Sequence, residues 1–183
     1  MMRHLSRYLI GVLCVLLTTP AFAYAQASTV YEEYEVKAAF LYNFAKFVEW
    51  PTYGLNGEIT LCLLGHDPFG GALDNVIGHP VGKRRFAVQH LPRLRAADLS
   101  GCQMLYISAS EQAQLDLIVA QTRGMPVLTV ADTGGFAHRG VMFNFFLEQN
   151  RVRFEINQAA LMASPLKPSA RLLQLGRLIN PER

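Results

Sequence analysis

Apolar residues recur at helical spacing from Val36 to the Trp50-Pro51 pair, in the segment VKAAFLYNFAKFVEWP. Val36, Phe40, Phe44 and Phe47 fall at i, i+4, i+8 and i+11, a single stripe that Leu41 and Val48 widen. Lys37, Asn43 and Lys46 lie mostly off it and are expected in solvent. Pro51 disfavours helical geometry at Trp50, so the helix is expected to stop at or before that residue. Glu32, Glu33 and Glu35 then occupy its first turn, where they complement the helix dipole.

The pattern changes after Gly57. Ile59 to Leu64 is a continuous β-branched and aliphatic run, the mark of a strand buried on both faces. A turn from Gly65 to Gly71 leads to a short helix over Ala72–Ile77, with Leu73, Val76 and Ile77 inward and Gly78 as its stop. Arg84 to Leu91 and Met104 to Ile107 read as strands, separated by a loop from Pro92 to Gly101 with room for one helical turn. Ser108 or Ser110 caps a helix from Glu111 to Arg123, whose Leu115, Ile118 and Val119 face the core. Pro126 to Val130 is a strand, and Asp132 to Gly140 a glycine-rich loop. Val141–Leu147 and Arg151–Ile156 flank Glu148-Gln149-Asn150 as a hairpin. Asn157 caps a helix through Ala163, and Pro168 to Ile179 is read as the last helix. This order predicts an α/β fold, a three-layer Rossmann-like sandwich with a mainly parallel sheet and an antiparallel C-terminal hairpin at its edge.

The first 25 residues have a different character. Arg3 and Arg7 precede an apolar run from Tyr8 to Thr18, followed by overlapping small-residue sites around Ala21, Ala23, Ala25 and Ala27. That is the layout of a secretory signal peptide, with cleavage expected after Ala25, and the run is short for a membrane-spanning helix. The residue before Cys14 is Leu13, which does not suit lipid attachment there. The expected organisation is therefore a signal peptide over 1–25 and one α/β domain over 26–183. An uncleaved anchor is the alternative.

Losing the leader changes the charge. The full chain carries 17 Lys+Arg against 14 Asp+Glu, but the leader holds two arginines and no acid, which leaves 15 against 14. A nearly neutral protein gives no general case for nucleic-acid binding. Cys62 and Cys102 remain. In an oxidising compartment they are a candidate disulfide closing a loop of about 40 residues, which loop-closure entropy values at about 4 kcal/mol. Two buried free thiols are the alternative.

Conventional catalytic signatures are missing. The turn GHDPFGG matches neither the dinucleotide fingerprint nor the P-loop, and there is no G-x-S-x-G elbow. No histidine pair has the spacing of a zinc peptidase. His66 and Asp67, with Asp132 and His138, could meet at the carboxyl edge of the sheet, where α/β folds bind ligands. Solvated loop residues are the simpler reading. No cofactor and no metal site is expected.

Four blocks, VKAAFLYNFAKFVEWP, ITLCLLGHDPFGG, RVRFEIN and LMASPLKPSARLLQLGRLI, occur in order and together resemble the YfiR family. The resemblance implies an exported binding protein rather than an enzyme. Its implied partner is the periplasmic domain of an inner-membrane diguanylate cyclase, which it would repress by contact and so lower cyclic-di-GMP and biofilm formation. A sequestering outer-membrane lipoprotein is a further implied partner, and a homodimer is possible through a sheet edge. The resemblance also supports pairing of Cys62 with Cys102. Some members carry a second cysteine pair in the C-terminal half, which this chain lacks. The expected partner-binding residues are Arg153 and Glu155 on the polar face of an edge strand, and Leu161, Met162, Leu166 and Lys167 after it, with ordinary core packing the alternative for the apolar ones. The alternative function is a periplasmic small-ligand binder using a crevice near Gly65–Gly71 and Asp132–Arg139.

Overall fold

The structure, a computed structural model, describes residues 21–51 and 57–180. The expected signal peptide falls largely outside the described residues. The opening helix, α1, spans Ala21–Phe47 and so begins ahead of the expected cleavage point. Glu32, Glu33 and Glu35 are therefore in mid-helix and not in a first turn. The helix ends before Trp50, as Pro51 requires, and the Trp50 indole N–H donates to the Ala45 carbonyl at 3.1 Å.

Among the described residues, ten strands follow: β1 (Val48–Glu49), β2 (Glu58–Leu64), β3 (Pro80–Val81), β4 (Arg84–Leu91), β5 (Met104–Ile107), β6 (Leu128–Ala131), β7 (Phe143–Glu148), β8 (Arg151–Asn157), β9 (Lys167–Pro168) and β10 (Arg177–Ile179). The remaining α-helices are α2 (Leu115–Thr122), α3 (Gln158–Met162) and α4 (Ala170–Leu175). Eight strands form one sheet in the order β10-β8-β7-β6-β5-β2-β4-β3, and β1 pairs with β9 separately. The five strands β4-β2-β5-β6-β7 are all parallel. Numbered by chain position they run 2-1-3-4-5, a doubly wound order with its switch point between β2 and β5.

Alternation along β2 divides the core in two. Ile59, Leu61 and Leu63 face α1, with Met104, Tyr106, Leu128 and Val130 from the neighbouring strands. Cys62 and Leu64 face the other way, with Leu105, Ile107, Ala131, Leu115 and Ile118. The result is the three-layer α/β sandwich expected from the element order. The second helical layer is thin, because β4 reaches β5 through a short 3-10 turn over Ala96–Gly101 and β6 reaches β7 through the Asp132–Gly140 loop. Cys62 and Cys102 are bonded on this thinner side, with Cα atoms 5.7 Å apart.

The buried face of α1 is rotated from the expected stripe. Leu41 and Phe44 are in the core, but so are Ala38, Ala45 and Lys37, whereas Val36 and Phe47 are exposed. Small Ala38 and Ala45 let the helix backbone approach the sheet, so the contact face is set by shape as well as hydrophobicity. Phe44 lies 5.0 Å from both Phe143 and Phe154, ring centre to ring centre, and Phe40 lies 5.7 Å from Phe154. These edge-on contacts clamp α1 onto the β7–β8 hairpin.

Three further expectations need correction. The residues after Gly71 form a single 3-10 turn, Gly70–Leu73, in place of a helix to Ile77, and Ile77 is exposed. The segment Pro168–Ile179 is not one helix; it holds β9, α4 and β10. The hairpin is not the sheet's edge, because β10 lies parallel to β8 outside it, in the register Arg177–Glu155 to Ile179–Asn157. Its two-residue turn, Gln149 (φ 51°) and Asn150 (φ 59°), is left-handed at both positions, as a tight twisted hairpin requires.

Candidate functional site

Two regions carry the chemistry: the carboxyl edge of the parallel strands, and the surface beside β10. At the carboxyl edge, Asp132 follows β6 directly and meets two side chains from α1. Lys37 Nζ is 2.7 Å from its carboxylate and the Tyr34 hydroxyl donates to it at 2.9 Å. Glu33, one turn before Lys37, completes an ion triad. Lys37 is only 4 % exposed, so this lysine, expected in solvent, is a buried charge held by two carboxylates. Its ammonium also lies over the Tyr34 ring, 4.2 Å from the centre.

Tyr106 of β5 points at the same cluster. Its hydroxyl is buried and sits in the field of the Asp132 carboxylate without a hydrogen bond of good geometry. Burial first, and then the Asp132 charge, push the Tyr106 phenol above its ordinary range. The same two causes, in the same order, raise Tyr34. Both phenols therefore stay protonated at physiological pH, and neither is prepared to act as a base.

The crevice at the switch point is closed. Phe69 packs edge-on to Tyr106 with ring centres 4.8 Å apart, and Tyr34 packs edge-on to Phe69 at 5.2 Å. A Cβ added at Gly65 would collide with the side chains of Ser110 and Glu111, which pack directly against the turn after β2. Asp67 is also engaged: one carboxylate oxygen accepts the Phe69 N–H at 2.8 Å and the other meets the His90 ring at 2.9 Å. His66 offers its backbone N–H to Ser110 Oγ. Asp132 thus pairs with Lys37 and Tyr34 of α1, and His138 stands on the exposed part of its loop. Among the described residues, no group of three or more His, Cys, Asp or Glu is arranged to hold a metal ion.

The surface beside β10 has the opposite character. Leu178 of β10 is 51 % exposed, Leu175 at the end of α4 is 62 % exposed, and Met162 at the end of α3 is 78 % exposed. Met162 and Leu178 border a groove of about 430 Å³ whose other walls include Leu166, Lys167 and Pro168. Apolar side chains exposed together around a groove with a cation on its rim are the usual make-up of a protein contact surface.

The expected partner-binding residues divide on this frame. Arg153 is exposed and pairs with Glu148 at 3.1 Å, and Lys167 is exposed on the groove rim. Glu155 is buried at 6 % exposure because β10 covers it, and its carboxylate is held by Arg177 at 2.8 Å. Leu161 and Leu166 are buried and line the groove. Leu175 and Leu178 were not singled out by sequence. A helical reading of Pro168–Ile179 hides them, and the exposed pair emerges only once the segment breaks at Gly176.

Among the described residues, no helix is long and apolar enough to cross a membrane. A protein-family model described as YfiR/HmsC-like matches residues 34–177, which include α1 from Tyr34 onward and the whole eight-stranded sheet up to the first residue of β10. No curated protein gives a significant match to the chain.

Proposed function

Since this chain belongs to the YfiR/HmsC-like family, we propose that it is an exported regulatory binding protein of the periplasm, which restrains a transmembrane diguanylate cyclase by gripping the cyclase's periplasmic domain. In this reading the protein lowers cyclic-di-GMP and biofilm formation without catalysing a reaction. The observation that carries it is the exposed apolar set Met162, Leu175 and Leu178 beside the edge strand, with Lys167 on the rim of the groove. The carboxyl edge supports the same reading, because its ionisable groups are tied to one another and its crevice is filled by side chains of the chain itself. A repressor shifts its target only by binding one state of it more tightly than the other. A rigid face on a disulfide-bonded scaffold suits that task, since little ordering free energy is lost on contact.

The test is capture of the cyclase from detergent-solubilised membranes by the purified oxidised protein. The wild type retains the cyclase, and a Met162→Asp/Leu178→Asp variant with an unchanged circular dichroism spectrum loses it. Equal retention by both proteins would remove this face from the account.

A further inference from the structure

On the side of the sheet away from α1, the Asp132–Gly140 loop, the end of α2 and the start of α3 enclose a pocket of about 300 Å³. That volume is at the lower end of small-molecule sites. Its polar floor is fixed. Asn157, almost wholly buried, donates to the Ala137 carbonyl at 2.7 Å and accepts the Ala160 N–H at 2.8 Å, so one side chain ties the loop to α3. Thr129 Oγ accepts the Met142 N–H at 2.9 Å. Val119 and Met142 supply apolar wall.

The rim is cationic. Arg123 and Arg139 both border the pocket, as does His138. Arg139 is committed to Asp116 through two contacts of 2.9 and 3.1 Å to one carboxylate oxygen. Arg123 is exposed and has no ion pair or side-chain hydrogen bond among the described residues. The two arginines and Asp116 leave one uncompensated positive charge at the mouth, and Arg123 carries it.

We propose that this pocket binds a small monocarboxylate with an apolar body. The carboxylate meets the Arg123 guanidinium, whose planar fork matches it with two parallel hydrogen bonds. The hydrocarbon part lies against Val119 and Met142. One net positive charge matches a monoanion better than a phosphate dianion, which would bring a second charge with no partner. The site does not depend on the regulatory reading, and it lies on the opposite side of the sheet from the Asp132–Lys37 cluster.

The probes are sodium benzoate, inorganic phosphate and sodium chloride, titrated at constant ionic strength into the uniformly 15N-labelled, oxidised protein and followed by amide NMR shifts. Benzoate is expected to give saturable shifts at Gly140 and Ala160, with a dissociation constant on the order of 1 mM. Phosphate binds more weakly, and chloride gives no saturable shift. Arg123→Gln weakens benzoate by about fivefold or more, the loss of roughly one charge-assisted contact. Arg93→Gln, an exposed arginine not among the pocket's residues, leaves it unchanged. Non-saturable benzoate shifts, full affinity in Arg123→Gln, or tighter binding of phosphate than of benzoate would each overturn the proposal.

Discussion

A single lysine shows how burial and charge act together in this molecule. Lys37 is nearly inaccessible, so its ammonium is tolerable only because Asp132 and Glu33 surround it. Removing Asp132 strands much of that charge. Asp132→Ala is expected to cost about 3 kcal/mol in urea unfolding, and Lys37→Met added to it should recover more than about 1 kcal/mol of the loss. Additive costs in the double variant would show that the two side chains act independently. The neighbouring phenols give a second signature. Tyr34 and Tyr106 have their ionisation raised in the folded state, so they bind protons that the unfolded chain releases near pH 10. Their contribution is present in full below that pH and is lost as pH rises through the folded values. Ultraviolet titration is therefore expected to find two tyrosines ionising after the others, with stability falling above about pH 10. Tyr34 and Tyr106 titrating together with the other tyrosines would contradict the cluster. Sequence alone did not show Lys37 as buried, because its neighbours Phe40 and Val36 dominate any hydrophobic stripe, and its partner Asp132 is 95 residues away.

Elements were legible where local pattern and tertiary pairing agree. β4 and β5 have the expected bounds, Arg84–Leu91 and Met104–Ile107: β4 shows a weak alternation that buries Phe86 and Leu91, and β5 is a continuous apolar run that serves both faces of a parallel sheet. Asn157 and Ser108 do cap the segments that follow them, since a side-chain oxygen before a helical turn is a local signal. The segment Pro168–Ile179 was misread for the opposite reason. Leu172 to Ile179 has helical periodicity, yet Arg177–Ile179 gains more by pairing with β8 than by extending α4. Gly176 makes this possible: a Cβ there would come 2.5 Å from Ile156 Cδ1 and 2.6 Å from Phe154 Cε2. Gly176→Ala should therefore push β10 off the sheet and destabilise the protein by about 1–3 kcal/mol, with faster amide exchange at Arg177–Ile179. An unchanged exchange pattern would show that β10 does not need the close approach.

In the whole molecule, the layered scaffold carries bonded cysteines on its thinner side and a carboxyl edge filled by the chain's own side chains. The sheet presents one end, at β10, with leucines and a methionine in water, and a molecule that only had to stay folded would gain by covering them. The α/β class was readable from the order of elements, whereas this face was not, because it depends on which strand ends the sheet. The central claim is that such a surface holds a membrane cyclase in its inactive state. The most direct measurement is intracellular cyclic-di-GMP in cells that lack the protein and are complemented with the wild type or with Met162→Asp/Leu178→Asp. Loss of the protein should raise cyclic-di-GMP, the wild type should return it to its original level, and the double variant, exported and folded, should leave it high. Cyclic-di-GMP that does not respond to loss of the protein, or a double variant that restores it fully, would contradict the account.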